Sequence, residues 1–250
     1  MGSIAHFHTT DMRSLFAIIG SADRDLLREI GVTLGAEFQP PSGEEEEEEE
    51  ELCGEEETEE APEWDADAEE ADSAQETIVK MILSGVSQDL SEDEAYAIQD
   101  YFASYAAKSD RVHSIDPDDL ADLFEVDPES ERADEMRRML LEGMDLASLA
   151  SFLDWLQQND ASHELAHRLQ MLYLGRLPEA DEPTFTDLEE EAYAARFGYV
   201  LAEEAGRIAD ELSEFAARAP EELRAAAALL AALMHYCNGE VMDLLVTIED

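Results

Sequence analysis

The chain has 250 residues, with 64 Asp and Glu against 15 Lys and Arg, a formal charge of −49. Its 45% apolar content is enough to build a core, which excludes wholesale disorder. The length fits one large domain or two small ones, and so negative a chain is a poor ligand for duplex nucleic acid or an anionic membrane surface.

Ser3 to Thr9 alternates, with Ile4, His6 and His8 facing one way and Ala5, Phe7 and Thr9 the other, which predicts a short strand. His6 and His8 share a face, but nothing near them in the sequence completes a metal site, so they are read as ordinary strand residues. Thr10 or Asp11 caps a helix through Met12, Leu15, Phe16 and Ile19 that Gly20 stops, and Ser21 opens another carrying Leu26, Leu27, Ile30 and Leu34. Pro40-Pro41-Ser42-Gly43 then delivers the chain into an acidic tract. Residues 44 to 72 hold 19 carboxylates and no Lys or Arg, so mutual repulsion predicts a disordered loop over 39–72. The other 221 residues contain 45 acids and 15 bases, a net −30, so the acidity belongs to the folded body as well.

Order is expected to resume at 73 with a capping box, Ser73-Ala-Gln-Glu76, ahead of Ile78, Met81 and Ile82. A second box, Ser91-Glu-Asp-Glu94, begins a helix carrying Ile98, Phe102 and Tyr105. Asp116-Pro117 and Asp127-Pro128 read as Asp N-caps with Pro at the first helical position. Further helices fit 129–142, 145–158, 161–174, 187–197, 202–218 and 220–237, with Thr186-Asp-Leu-Glu189 as a third box. After Asn238-Gly239 the run Val241, Leu244, Leu245, Val246, Thr247 and Ile248 predicts a closing strand. Met136, Met139, Met144 and Met171 sit at helical spacings and read as core. The expected architecture is a predominantly helical α+β domain. A small sheet pairs the N- and C-terminal strands, and about nine or ten helices pack on it. Residues 1–38 and 73–250 form one domain around the loop at 39–72.

No signal-like segment opens the chain and no apolar run reaches membrane-spanning length, which leads to the expectation of a cytoplasmic protein. Cys53 and Cys237 are too few to suggest a disulfide framework and read as reduced thiols.

His163-Glu164-Leu165-Ala166-His167 is an HExxH sequence within a predicted helix. The i, i+4 spacing puts both imidazoles on one face, where they could hold zinc while Glu164 polarises a water, with Glu189, Glu190 or Glu191 as third ligand. Against this, Leu165, Leu169 and Leu172 form the buried face, Glu164 and Arg168 make an ordinary i, i+4 pair, and Asp160 stands where zinc peptidases carry a small or apolar residue. A zinc-dependent hydrolase is therefore the alternative reading. Asp65, Asp67, Glu69 and Glu76 imitate a calcium loop, but Glu70 occupies the position that needs glycine.

Several short stretches resemble a family of uncharacterised bacterial proteins. They are the opening strand with Asp11 and Gly20-Ser21-Ala-Asp23; Ile78 to Tyr105; Leu172-Tyr-Leu-Gly-Arg-Leu-Pro178; Phe197-Gly-Tyr-Val-Leu-Ala-Glu-Glu204; and Asp243 to Ile248. The resemblance implies one α+β domain spanning both termini, with no catalytic residue to carry over. The HExxH sequence and the glutamate run stand outside it as features of this chain.

With no complete active site, the reading favoured is a non-catalytic, regulatory protein without cofactor that engages a basic protein partner, as an immunity, antitoxin or inhibitor protein does. A neighbouring gene is the expected source of the partner. The residues expected to engage it are Glu44, Glu45, Glu46, Glu47, Glu48, Glu49, Glu50 and Glu51, with Asp65 and Asp67, and Trp64 as an apolar anchor. Two other readings are a halophile-type domain whose charge reflects habitat, and a regulator cleaved within its acidic loop.

Overall fold

The computed structural model describes residues 3–21, 23, 26–27, 66–87, 89–120, 123, 127, 129–185 and 195–249, with backbone alone at 66–72, 195, 196 and 249. In chain order, β1 (Ile4–Thr10) leads into α1 (Met12–Leu15) and a single 3₁₀ turn, Phe16–Ile18. Then follow α2 (Ala66–Ser84), α3 (Glu92–Lys108), β2 (His113–Ser114), α4 (Pro117–Leu120), α5 (Glu131–Glu142), β3 (Met144–Asp145), α6 (Leu146–Gln158) and α7 (His163–Tyr173). The chain continues through β4 (Ala195–Val200), α8 (Ala202–Arg218), α9 (Glu221–Glu240) and β5 (Asp243–Glu249). The class is α+β and mainly helical. Among the described residues no helix is long and apolar enough to cross a membrane.

The terminal strands pair at the centre of an antiparallel sheet ordered β2-β1-β5-β4, in register from Ile4 opposite Glu249 to Thr10 opposite Asp243. The outer edge of β1 carries β2 against His8 and Thr9 and β3 against Ile4 and Ala5. Alternation sorts the side chains: Ala5, Phe7, Leu244, Val246, Ile248 and Val200 join one core, while Leu245, Phe197 and Tyr199 join another on the opposite face. The first core is filled by α5 to α9 and the second by α1, α2 and α3. A strand buried on both faces needs apolar residues at consecutive positions, which accounts for the unbroken run in β5. The Ala-rich α9 is buried on most sides for the same reason.

One carboxylate joins the two layers. Asp243, at the start of β5, accepts from the Met12 amide (2.8 Å) through Oδ2 and from the Ala202 amide (2.8 Å) through Oδ1. It thereby caps α1 and α8, helices on opposite sides of the sheet, and burial pushes its carboxyl above the ordinary Asp range.

The local signals hold in several places. Ser91 and Glu94 form the reciprocal capping box (3.3 and 2.9 Å), and Asp116 accepts from the Asp118 amide (2.9 Å) at the start of α4. Other expectations are corrected. The helix expected from 73 begins at Ala66, because Ala and acidic residues suit a first helical turn whose dipole favours negative charge. Residues 66–72 are thus helix rather than disordered loop, and Ser73 lies inside α2; residues 39–65 lie outside the described residues. The cap of α5 is Ser130, which accepts from the Ala133 amide (3.2 Å), while Asp127 orders the turn before it.

Of the helix expected over 187–197, residues 187–194 lie outside the described residues, and 195–197 are strand at the start of β4. Phe197, Tyr199 and Val200 favour a strand, and Gly198 allows the close of α7 to lie against it. A Cβ at 198 would sit 2.6 and 2.7 Å from the Met171 and Leu172 carbonyl oxygens. The capping box at 186–189 lies outside the described residues. Finally, α9 runs through Asn238-Gly239 to Glu240, because Asn238 is packed against Gly206 of α8. The left-handed residue that ends it is Val241 (φ 56°), a β-branched side chain 78% exposed.

Two substitutions test this account by urea denaturation. Gly198→Ala forces a methyl into backbone and is expected to cost about 1–3 kcal/mol. Val241→Asn replaces a poorly suited left-handed residue by a tolerant one, and is expected to stabilise by about 1 kcal/mol.

Candidate functional site

The HExxH sequence forms most of the first two turns of α7, capped by Ser162, which accepts from the Leu165 amide (3.1 Å). Leu165, Leu169 and Leu172 are buried as the pattern requires, leaving His163 exposed and His167 half-buried. The two rings stack at 5.4 Å. His167 Nε2 faces the Asp181 carbonyl oxygen at 2.7 Å, and a carbonyl can only accept, so Nε2 is the donor in that contact. Glu164 pairs with Arg207 (3.0 Å) rather than with Arg168, the partner expected from the helix spacing. Glu189, Glu190 and Glu191 lie outside the described residues. Among the described residues no three His, Cys, Asp or Glu side chains come together to hold a metal ion. The glutamates 44–51, Trp64 and Asp65 also lie outside the described residues, and Asp67 is placed only as backbone in the first turn of α2.

What α7 does bring together is a buried charge cluster. Arg176, on the segment after α7, is 3% exposed and grips Glu204 of α8 with both terminal nitrogens (2.6 and 3.1 Å). Its Nε donates to the Ala180 carbonyl (2.7 Å), and its guanidinium lies 4.4 Å from the Tyr199 ring centre. Arg168 of α7 reaches the same carboxylate at 3.0 Å, and the Leu201 amide donates to it at 3.0 Å. Burial alone would push Glu204 up; the Arg176 hydrogen bonds, the Leu201 amide and the two positive charges outweigh it and hold the carboxyl below its usual range. Tyr199, beside them, is pushed up to about 12 by burial.

A carboxylate locked in its ionised form by two guanidinium groups has no proton to give and no free lone pair directed at a substrate, so the cluster is a clasp. It fastens the segment 174–185 over the outer edge of β4. There the Arg176 amide donates to the Phe197 carbonyl (3.0 Å), and the Gln99 side-chain oxygen accepts from the Phe197 amide (2.7 Å). An edge closed in this way is not open to an added strand. The sequence signal existed, since Arg176 and Glu204 stand in two of the stretches quoted for the family resemblance. Spacing alone could not pair residues 28 apart.

Several other bases among the described residues are similarly engaged. Arg132 and Arg224 face Glu221, Arg137 faces Asp134, and Lys80 faces Glu76. Arg218 lies over the Phe215 ring and donates to the Glu214 carbonyl. Where α5 and α9 begin, a cleft of about 530 Å³ is lined by Asp127, Ser130, Glu131, Arg132, Glu135, Glu221 and Ala225. Its one base is neutralised by Glu221, so the surface it offers is negative.

The clasp has a pH signature. Because the folded Glu204 value lies below the usual 4.5, its contribution is complete above that value and is lost as pH falls through the folded value. Arg176→Ala is expected to cost about 3–5 kcal/mol at pH 7, by leaving Glu204 buried with less compensation. In urea titrations the gap from the unsubstituted protein should narrow as pH is taken well below 4.5.

No protein-family model matches the chain, and no curated protein or solved structure shows a significant match to it.

Proposed function

We propose that this is a non-catalytic acidic protein that binds a basic protein and regulates it by occlusion, in the manner of an immunity, antitoxin or inhibitor protein. With this goes the proposal that the chain belongs to the uncharacterised bacterial family its short motifs resemble. The observation that carries the reading is how the charge is distributed. The bases named above face their own acids, backbone carbonyls or an aromatic ring, while the chain as a whole retains a net −49. Internal pairing therefore leaves an acidic exterior. Such a field raises the rate of encounter with a cationic partner and disfavours anionic competitors. The acidic cleft at the starts of α5 and α9 supplies a shaped part of that surface, and the tract at 44–51 adds eight glutamates to the chain's charge.

The test is capture of proteins encoded beside the gene, followed by association kinetics of any basic partner. From about 0.05 to 0.5 M salt, the association rate is expected to fall by a factor of about ten or more. Deleting residues 44–65 is expected to slow association further without unfolding the domain. A partner whose binding is indifferent to salt and to that deletion overturns the electrostatic mechanism. A domain that folds only in molar salt assigns the charge to habitat instead.

A further inference from the structure

We infer that the basic protein partner docks on the C-terminal end of α9, seating a Lys or Arg side chain beside Tyr236 and its neighbouring carboxylates and an apolar side chain on Val241. The inference rests on the reading above and adds where the partner binds. Val241 is, at 78%, the most exposed of the large apolar side chains among the described residues. It also stands in left-handed backbone (φ 56°), which suits a β-branched side chain poorly. A strained residue holding an apolar side chain out in solvent is accounted for when a partner covers it. Tyr236, one turn earlier, is half-buried against the first core. There α4 packs on α9, and burial, together with the charges of Asp119, Glu240 and Asp116, pushes the phenol above its usual range. Carboxylates from two helices thus converge on one ring. Met242, next after Val241, lines a cleft of about 580 Å³ whose walls include Asp11, Asp110 and His113, and Arg111, also in its wall, donates to the Ser14 carbonyl.

Charge decides the occupant. In the cleft beside α5 and α9, Glu221 already faces Arg132 and Arg224. Among the described residues no Lys or Arg pairs with Asp116, Asp119 or Glu240, so an incoming cation meets three acids without displacing a base of the chain. The face of the Tyr236 ring adds its own attraction for a cation, and the stem of a Lys or Arg lies well along apolar surface such as Val241 and Met242 offer. The same carboxylates repel an acidic peptide or a phosphate. Leu141, 67% exposed, fails this test, because Arg137 and Arg138 stand one turn before it on the same face of α5 and oppose a cationic segment.

The experiment is a nuclear magnetic resonance titration of the full chain, labelled at its Ala, Ile, Leu and Val methyls and at its Tyr rings. The probe is the amide-capped tripeptide Arg-Leu-Arg at about 0.15 M salt, where distant charges are screened. The Val241 methyls and the Tyr236 ring are expected to shift first and to saturate together, while Glu-Leu-Glu moves neither. Val241→Asn should weaken binding, read at Tyr236, by a factor of about 5 or more, although the same substitution is expected to raise stability in urea. Asp116→Asn with Asp119→Asn, in which Asn still caps α4, should weaken it by a factor of about 3–10. Equal neutralisation at Asp154 and Glu214, exposed on α6 and α8, should change it by less than a factor of about 2. Shifts led by another methyl, such as Ala225 in the cleft beside α5 and α9 or Leu141, overturn the docking site and leave the acidic-binder reading standing. The absence of any shift overturns the docking site too; the reading on which it rests is judged separately, by the salt dependence of partner association.

Discussion

The structure depends on the antiparallel pairing of β1 with β5. Those strands are separated by almost the whole chain, and every other element takes its place from the two faces they create. Their mutual register puts Phe7 opposite Val246 in one core and His8 opposite Leu245 toward the other. Asp243 then turns the pairing into a junction, since one carboxylate orders the first turn of a helix on each side. The desolvation it suffers is offset by two amides that would otherwise be buried without partners.

The same contrast between closed and open ground organises the function. Around β4 the charges are paired: Glu204 meets two arginines, and Gln99 stands in for a neighbouring strand. At the starts of α5 and α9 the balance is the reverse, and acids dominate a surface depression. On the remaining face of β1, a cleft is lined by His6 and His8.

Much of the fold was legible because its signals are local. The alternation of residues 4–9, the Ser91–Glu94 box and the span 202–218 each follow from neighbours a few residues apart, and each is found. Failures arose where tertiary contacts override local preference. Residues 195–197 read as the end of a helix, yet β5 offers Ala195 to Val200 a partner. Asn238-Gly239 reads as a helix end, yet the packing of Asn238 on Gly206 carries the helix past it. The candidate site was less legible. Glu164 was assigned the near arginine on its own helix and takes Arg207 from α8 instead. Arg176 and Glu204 could be quoted as motifs without any indication that they meet.

Placing positions 4–10 and 243–249 side by side in the middle of the sheet also constrains how the protein is made. During synthesis β1 has, among the described strands, no neighbour of its own length until β5 follows, and its apolar face has to wait through more than two hundred residues of translation. Both cores therefore close only after residue 249 has cleared the ribosome.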